Sequence, residues 1–347
     1  MSRIVVTAGA RTAVTGWHRG QAGLSDDQLA ATVFAAMPAQ PDAVFFGNTV
    51  GPGGNTARIA SLAAGWQTTG AVTLDAQCGS SLVAIGQAAA HAKLTGQTVL
   101  AGGAESPSTA WPDGHRSQAA FTPAGFPDPD MTVAADELAQ QYGLTRQAQE
   151  SYAAQSHDRA MAHPSAYLVG DQLDDGPRDV RKLLGRLQPV TDHPQATVTA
   201  LTAARIADAA AAVQLAPKDT AQPHLGVEVI DYRLVGSDPA LPGIGAAPAI
   251  EALLTAHGLT VQQIAVLDIV EAYAAQVLAV CRRLGIDSTD VNQRGGALAH
   301  GHPWAASGAI AFLTTLEQLH HTPSGTLGVT AAAIAGGMGV AVLTRKL

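Results

Sequence analysis

The sequence has few cysteines, few aromatic residues and no excess of basic charge. Two cysteines in 347 residues cannot form a disulfide framework, so we expect a protein of a reducing compartment such as the cytoplasm. Twenty lysines and arginines stand against 28 acidic residues, which leaves a net charge of −8, and aromatic residues make up 4% of the chain. Without basic surfaces or stacking platforms, the protein is not expected to bind nucleic acid or an anionic membrane.

Long hydrophobic runs are also missing. No uncharged apolar stretch reaches the roughly 18 residues that a membrane-spanning helix needs, and the start lacks the long apolar segment of a signal peptide. With 47% hydrophobic residues, a chain of this length can bury a large core. Length alone predicts about two domain-sized units. These limits leave a soluble α/β protein.

Short β-branched segments alternate with alanine-rich segments of helical length through the first 110 residues. Such alternation predicts parallel strands connected by helices in a layered α/β sheet. The following part is richer in proline and polar residues and contains one clear helix, predicted from Arg146 to Ala162. The predicted division is an N-terminal half of residues 1–110 and 197–218, an inserted loop domain of residues 111–196, and a C-terminal half of residues 219–347.

The two α/β halves resemble each other. Cys78 follows a predicted strand and precedes a helix, and His302 precedes a helix in the second half in the same way. A glycine-rich apolar strand follows each of these helices. A duplicated fold would place Cys78 and His302 at equivalent helix N-termini, related by a pseudo-two-fold axis. Both side chains could then face one shared site.

Cys78 is the strongest candidate for a nucleophile. It stands at a strand-to-helix junction and is followed by Gly79, Ser80 and Ser81. Backbone N–H groups at a helix N-terminus stabilise an anion and lower the pKa of a thiol. We therefore expect a thiol that reacts below its ordinary pKa of about 8.5. The alternative is a buried structural cysteine, which is the interpretation we favour for Cys281 in its amphipathic helical run.

His302 is the strongest candidate for a base, because glycines and Pro303 around it predict a sharply shaped loop that exposes the imidazole. A histidine opposite a thiol manages the proton in acyl transfer. A metal site of His300 and His302 is a weaker alternative, since no Asp, Glu or Cys lies nearby in the sequence to complete it. Gly337 belongs to a Gly-Gly-Met-Gly segment that matches no nucleotide-binding fingerprint, and it is a candidate backbone donor to an oxyanion, with packing as the alternative.

These segments together make the chain resemble the thiolase family of acyl-CoA acyltransferases over nearly its whole length. The motifs that carry the resemblance are, in chain order, Ala10-Arg11-Thr12, Phe46-Gly47-Asn48, Ala57-Arg58, Cys78-Gly79-Ser80, Ala101–Ser106, Met131–Ala139, Tyr142–Arg146, Glu271–Ala274, Gly295–Ala299, Gly301-His302-Pro303 and Ala306-Ser307-Gly308. Their order and spacing make the combination specific, although no single motif is.

The resemblance implies a five-layered α-β-α-β-α fold of two duplicated halves, with a CoA-binding loop domain inserted in the first. It implies that Cys78, activated by His302, takes an acyl group from a CoA thioester, which is a substrate and not a permanently bound cofactor. It also implies a homodimer paired through the sheet edge of the first half, with a tetramer as an open alternative. The substrate pocket is assigned to Met131, Tyr273, His300 and Trp304.

The sequence departs from the thiolase pattern where carbon–carbon chemistry takes place. The second cysteine of the family, which deprotonates acetyl-CoA, falls on Ala333, and the asparagine that holds an oxyanion water falls on Val270. Alanine cannot remove a proton. Trp304 replaces a small aliphatic residue, which narrows the expected pocket, and Arg205 stands where glycine is usual. His300 stands where leucine is common and can be a replacement base, although its i,i+2 spacing tends to turn it away from His302.

We therefore expect an acyltransferase that forms an acyl-enzyme on Cys78 and cleaves or condenses short β-ketoacyl-CoA. One alternative is an acyl-CoA transferase, hydrolase or decarboxylative condensing enzyme that needs no deprotonation at carbon. Another is a degenerate thiolase-fold subunit that binds a partner. Ala333 distinguishes the first interpretation, which needs a base at carbon, from the second, which does not. The retained pair of Cys78 and His302 distinguishes both enzymatic interpretations from the non-catalytic subunit.

Overall fold

The computed structural model describes residues 2–113, 119–219 and 225–347. The strands in these ranges are β1 (Ile4–Arg11), β2 (Thr15–Gly16), β3 (Ala43–Gly47), β4 (Gly70–Leu74), β5 (Val99–Glu105), β6 (Ala207–Pro217), β7 (Val227–Gly236), β8 (Ile264–Ile269), β9 (Leu327–Ile334) and β10 (Met338–Lys346). The α-helices are α1 (Asp26–Ala35), α2 (Thr56–Ala63), α3 (Ser80–Thr95), α4 (Pro107–Ala110), α5 (Met131–Gln141), α6 (Arg146–Ala162), α7 (Ala246–Ala256), α8 (Ala274–Leu284), α9 (Ala297–His300) and α10 (Trp304–His320). Among the described helices, none is both long and apolar enough to cross a bilayer.

Side-chain caps define where several helices begin. Helix α6 begins at Arg146, as the sequence predicts, because Thr145 Oγ1 accepts the N–H of Ala148 at 3.1 Å. Helix α2 begins after Asn55, whose side-chain oxygen accepts the N–H of Arg58 at 3.1 Å. Each cap satisfies an N–H group that has no partner within its own helix.

The strands follow one path in the order β4-β3-β5-β6-β1-β7-β10-β9-β8, and β2 pairs with β6. In the first half β4, β3 and β5 are parallel, while β6 and β1 are antiparallel additions. The second half repeats the order β3-β5-β6-β1 as β8-β9-β10-β7, with β8 and β9 parallel and β10 and β7 antiparallel, and β4 has no counterpart among the described strands. Among the residues that the structure describes, the two half-sheets pair at Ile4–Val229 and Val5–Glu228. The expected duplication is therefore visible in the strand order.

The helices form three layers around these half-sheets. Helices α3 and α10 lie in the middle and pack on strands of both halves. Helices α1 and α2 cover the first half-sheet, while α7 covers the second and α8 packs beside α7. Leu82 and Ile85 of α3 and Phe312 of α10 are fully buried in the central layer. The structure thus has the five-layered α-β-α-β-α arrangement that the resemblance implies.

The predicted insertion contributes α5 and α6. Both helices pack on α8 of the C-terminal half, and α6 also packs on α9, which leads to His302. Residues 114–118 of the insertion and 220–224 of the C-terminal half lie outside the described residues. The boundaries at residues 111, 197 and 219 stay a prediction.

Candidate active site

Cys78 lies in the short turn between β4 and α3. Gln77, directly before it, has a φ of 48°, a conformation that non-glycine residues rarely adopt. The hydroxyl of Ser80 holds the turn, since it accepts the N–H of Ala76 at 2.8 Å and donates to the carbonyl of Gln77 at 2.7 Å. Cys78 as a residue is partly exposed, although protein atoms surround most of its sulfur.

His302 lies in the loop between α9 and α10. Its backbone N–H donates to the carbonyl of Arg205 at 2.8 Å, and its ring Nδ1 lies 2.6 Å from Ser307 Oγ. Its Nε2 lies 3.2 Å from Cys78 Sγ. The sequence therefore predicted the partners of this pair correctly. With a proton on Nδ1 directed at Ser307, Nε2 is left to accept the proton of the thiol.

Burial determines the protonation of this pair. It raises the pKa of the Cys78 thiol to about 12, and the nearby charge of Glu105 adds to the effect. Burial also lowers the pKa of His302 to about 4. Both directions favour a neutral thiol and a neutral imidazole at pH 7. The expectation of a thiol activated by a lowered pKa is therefore wrong, because desolvation outweighs the helix N-terminus. A neutral pair can still react if His302 takes the proton as the sulfur attacks.

Glu105, at the end of β5, joins the segment that follows β3 to the start of α10. Its side chain is fully buried and accepts hydrogen bonds from Asn48 Nδ2 at 3.2 Å, from the N–H groups of Thr49 and Val50, and from the N–H of Ala305 at 3.1 Å. The carboxylate thus ties the start of α10 to the first half. We assigned no role to Glu105 from the sequence, although an acidic residue that ends an apolar, glycine-rich strand is a signal for one.

Glu271 is a second buried carboxylate without an assigned role in the sequence analysis. It accepts hydrogen bonds from Tyr152 Oη at 2.8 Å, Ser156 Oγ at 2.7 Å, Asn292 Nδ2 at 2.8 Å and the N–H of Leu298 at 3.1 Å. These donors come from α6 of the insertion and from the segment that contains α9. Glu271 therefore fixes the insertion to the segment that leads to His302.

One of the predicted pocket residues, Tyr273, contacts the start of α5, where a second, Met131, is the first residue of the helix. Tyr273 Oη lies 3.1 Å from the Oγ1 of Thr132, which follows Met131. The backbone of Tyr273 also forms a bridge with that of Ala203. Met131 and Tyr273 are both partly exposed. The contact of Tyr273 with the start of α5 is compatible with the assignment of both residues to the substrate pocket, which stays a prediction.

Trp304 lies beside His302, with 6.4 Å between the ring centroids. Its ring contacts Trp111 edge-on at 5.4 Å, and Trp111 contacts Trp17 at 6.3 Å, so three tryptophans form a row that leads away from His302. Trp111 and Gln77 also line a cavity of about 580 Å³ next to the nucleophile turn. Trp304 was identifiable from the sequence and the other two tryptophans were not, because their proximity to the site depends on the tertiary fold.

The structure places His300 against the insertion. Its Nδ1 lies 3.2 Å from Asp174 Oδ2, and Asp174 also accepts hydrogen bonds from Arg11 at 2.7 and 2.8 Å. Burial alone would raise the pKa of Asp174, but the nearby His300 and the hydrogen bonds from Arg11 bring this pKa well below its usual range. His300 thus lies against a carboxylate, and its suggested roles as base and pocket residue stay predictions.

Gly337 lies in the turn between β9 and β10 with a φ of 77°. Its carbonyl accepts the N–H of Ser237 at 2.6 Å, and a Cβ at this position would come within 2.5 Å of Pro239. Close packing and backbone conformation therefore both require glycine. Its role as an oxyanion donor stays a prediction.

The two departures that concern carbon–carbon chemistry lie in apolar surroundings. Ala333 pairs with Gly339 in the β9–β10 ladder and is partly buried. Val270 is 5% exposed, and its N–H donates to Ala331 at 2.9 Å. Neither side chain can transfer a proton or hold a water molecule by a hydrogen bond. The base and the oxyanion donor of the thiolase pattern are therefore absent from these positions.

Comparisons with known proteins agree with this architecture. The family models described as "Thiolase, N-terminal domain" and "Thiolase, C-terminal domain" match residues 4–219 and 224–346. An acetyl-CoA acetyltransferase of Pseudomonas aeruginosa is 32% identical over 395 aligned positions that cover 100% of both chains. The dimeric peroxisomal thiolase of Saccharomyces cerevisiae has a TM-score of 0.90 at 29% identity, covering 100% of this chain and 98% of its own. Acat5 thiolase from Ascaris suum, solved with coenzyme A, has a TM-score of 0.87 at 27% identity, covering 99% and 100%. The chain therefore belongs to the thiolase family.

Proposed function

We propose that the protein is a thiolase-type acyltransferase in which Cys78 carries the acyl group. The observation that supports this most directly is the 3.2 Å contact between Cys78 Sγ and His302 Nε2. As the sulfur attacks the thioester carbonyl, Nε2 accepts the thiol proton, and the bond to CoA sulfur breaks. The proton then passes to the departing CoA sulfur, so that acyl-Cys78 and free CoA are the products. Proton transfer of this kind contributes about 10²–10⁴ in rate.

The second step transfers the acyl group to a second CoA molecule or to the methyl carbon of acetyl-CoA. Transfer to sulfur needs only Cys78 and His302. Condensation needs a base at carbon, and Ala333 supplies none. We therefore propose formation or cleavage of short β-ketoacyl-CoA as the reaction, with the step that makes or breaks the carbon–carbon bond slower than acylation from a simple acyl-CoA. In the cleavage direction Cys78 attacks the keto carbonyl, the bond to the α-carbon breaks, and acetyl-CoA leaves after its α-carbon takes up the thiol proton. The family and the relatives favour this reaction over the hydrolase, decarboxylative and non-catalytic alternatives.

The acyl-CoA site is proposed to lie around Met131, Tyr273 and Trp304, with Gly337 as a backbone donor to the thioester oxygen. Tyr273 and the start of α5 meet where the insertion faces α8. Trp304 limits the space beside His302. CoA enters and leaves as substrate and product, and no permanently bound cofactor is proposed.

A homodimer in the cytoplasm is proposed as the working form. Strand β4 lies at the end of the strand path, and among the described residues no strand pairs with its outer edge. Val72 on this strand is 50% exposed, and Ile59 and Leu62 on the adjacent α2 are 51% and 48% exposed. An unpaired edge beside an apolar patch fits pairing with a second copy. The yeast relative with the same fold is described as dimeric.

The acyl-enzyme is tested by incubating the protein with acetyl-CoA and measuring its intact mass. We expect an increase of one acetyl group in the wild type and none in Cys78→Ala. Cys281→Ala is the matched control, because it removes the buried second cysteine and should leave the adduct unchanged. A wild-type protein that takes no acetyl group, or an adduct that persists in Cys78→Ala, contradicts the proposal.

A further inference from the structure

A group of charged side chains packs behind His302 and includes two departures from the thiolase pattern, Arg205 and His300. The Arg205 guanidinium donates to the carbonyl of His300 through Nε at 3.2 Å and through Nη2 at 2.9 Å. The Arg205 carbonyl accepts the N–H of His302 at 2.8 Å. A single residue thus holds the backbone of the 300–302 loop from two sides, through its side chain and through its main chain.

Two consecutive aspartates of the insertion anchor this group. Asp175 pairs with the Arg205 guanidinium and accepts the N–H of Gly16 at 3.1 Å. Asp174 accepts the N–H of Val14 at 2.8 Å and lies 3.2 Å from His300 Nδ1. The two aspartates are therefore fixed to the segment around β2, and through their contacts they hold Arg205 and His300 in place relative to that segment.

The backbone around the Arg205 guanidinium is packed so closely that the 300–302 loop has little space to shift. Gly301 has a φ of 119°, and a Cβ there would meet the Cβ of Ala207 at 2.7 Å. A Cβ on Gly176 would meet the carbonyl of Ala299 at 2.1 Å and Nη2 of Arg205 at 2.8 Å. The guanidinium therefore lies between the insertion on one side and the loop before His302 on the other, and its side chain is 25% exposed.

We propose that Arg205 is a positioning residue that, anchored by Asp175, holds the 300–302 loop so that the His302 imidazole stays against Cys78. The inference rests on the proposed function, since it takes His302 as the base. Arginine suits this role because its planar fork offers donors in several directions, so one side chain can engage Asp175 and the His300 carbonyl together. A lysine ammonium is a single point charge and cannot reproduce that geometry.

The surroundings of His302 determine what loss of Arg205 would do. Cys78 and Ser307 contact the imidazole, Trp304 lies beside it, and Glu105 accepts the N–H of Ala305 at the start of α10. The Arg205 charge is paired with Asp175, so Arg205 acts on His302 mainly through the backbone. If the loop loosens, water reaches the imidazole, and the pKa of His302 rises from about 4 toward its ordinary value near 6.5.

The test measures single-turnover acetylation of Cys78 by acetyl-CoA, from intact mass, between about pH 4 and pH 9 for the wild type, Arg205→Gly and Arg205→Lys. We expect both variants to be about 10- to 100-fold slower at pH 7, since small misplacements of a catalytic group have effects of this size. We also expect the acidic limb of their pH profiles to move up toward pH 6, and millimolar guanidinium to restore part of the rate of Arg205→Gly only. Arg178→Ala is the matched control, because it removes a neighbouring cation that contacts Gly176 and should stay within about twofold of the wild type.

The outcomes separate this inference from the proposed function. A wild type that is never acetylated contradicts the proposed function. A wild type that is acetylated, together with an Arg205→Gly protein of unchanged rate and pH profile, overturns the positioning role alone. If Arg205→Gly does not fold, Asp175→Asn provides the same comparison, because it weakens the anchor and leaves the guanidinium in place. An unshifted profile in Asp175→Asn and Arg205→Lys would then overturn the role.

Discussion

His302 Nε2 lies 3.2 Å from Cys78 Sγ, although 224 positions separate the two residues in the chain. Cys78 precedes α3 and His302 precedes α10, and these two helices pack directly on each other. At their contact, Ser81 Oγ accepts the N–H of Ala309 at 2.8 Å. The pair is therefore a product of how the two halves of the fold meet, and a change at the α3–α10 contact acts on the chemistry.

Replacement of His302 by asparagine tests its role as the base. Asparagine keeps a polar group of similar size beside Ser307 but cannot accept and return a proton at pH 7. We expect acetylation of Cys78 by acetyl-CoA to slow by about 10²–10⁴. The measurement is single-turnover acetylation followed by intact mass, with circular dichroism as the check that the variant is folded. A variant within about threefold of the wild type would assign the proton transfer to another group.

The raised pKa of Cys78 predicts a slow reaction with alkylating agents. Because burial brings the pKa of the thiol to about 12, the thiolate is scarce at pH 8.5, and its fraction grows with increasing pH. We expect iodoacetamide to modify Cys78 in the Cys281→Ala background at least about 10-fold more slowly than free cysteine at pH 8.5. The rate should still rise above pH 9. A plateau already reached near pH 7 would instead indicate a preformed thiolate.

Introduction of a thiol at Ala333 tests whether the missing base explains the slow deprotonation that we expect at the methyl carbon of acetyl-CoA. In the thiolase pattern a cysteine at this position removes a proton from acetyl-CoA. We expect Ala333→Cys to increase exchange of the acetyl-CoA methyl protons with deuterated water by at least about 10-fold, measured by proton NMR. Ala332→Cys is the matched control, because neighbouring residues of a strand point to opposite faces. Equal exchange in the wild type and Ala333→Cys would show that a base already exists or that the thiol does not reach the substrate.

The size of Trp304 is expected to limit the length of the acyl chain that the site accepts. Its ring lies 6.4 Å from that of His302 and packs edge-on against Trp111. Trp304→Leu should raise the rate of acylation by hexanoyl-CoA relative to acetyl-CoA by about 10-fold, since one or two methylenes in a pocket discriminate to this extent. Trp17→Leu is the control, because Trp17 lies at the far end of the tryptophan row. An unchanged ratio in Trp304→Leu places the acyl chain elsewhere.

Parts of the fold and site were predictable because their signals are local. Thr145 caps α6, and the helix ends at Ala162 as its pattern predicts. Cys78 and His302 were identifiable because each combines a reactive side chain with a strand-to-helix or glycine-rich context. Strand β6 (Ala207–Pro217) is less evident, since its alanines favour helix by intrinsic propensity. It forms a fully buried strand because the tertiary environment outweighs propensity.

The remaining features depend on contacts between distant segments. Arg205 and Asp175 are 30 positions apart, and Arg205 and His300 are 95 apart, so nothing in the sequence pattern connects them. The raised pKa of Cys78 also escaped the sequence analysis. Helix position can be inferred from local sequence, whereas desolvation depends on the residues that the complete fold places around the sulfur.

Asp268 provides a test of stability that is independent of catalysis. It is 2% exposed, and its Oδ2 accepts hydrogen bonds from Thr315 Oγ1 and Gln318 Nε2, each at 2.7 Å. Its Oδ1 has no hydrogen-bond partner among the described residues. Burial therefore raises the pKa of Asp268 from 3.8 to about 7.

Because the folded state binds this proton more tightly than the unfolded state, the associated stability is fully present below about pH 4 and is lost as the pH rises through 7. At about 1.4 kcal/mol per pKa unit, the loss approaches roughly 4 kcal/mol. Asp268→Asn keeps an oxygen acceptor for Thr315 and Gln318 and never ionises. We expect urea denaturation to show a larger gain in the free energy of unfolding from Asp268→Asn at pH 8 than at pH 4. An equal difference at the two pH values would mean that Asp268 is ionised throughout this range, with its charge compensated in the folded protein.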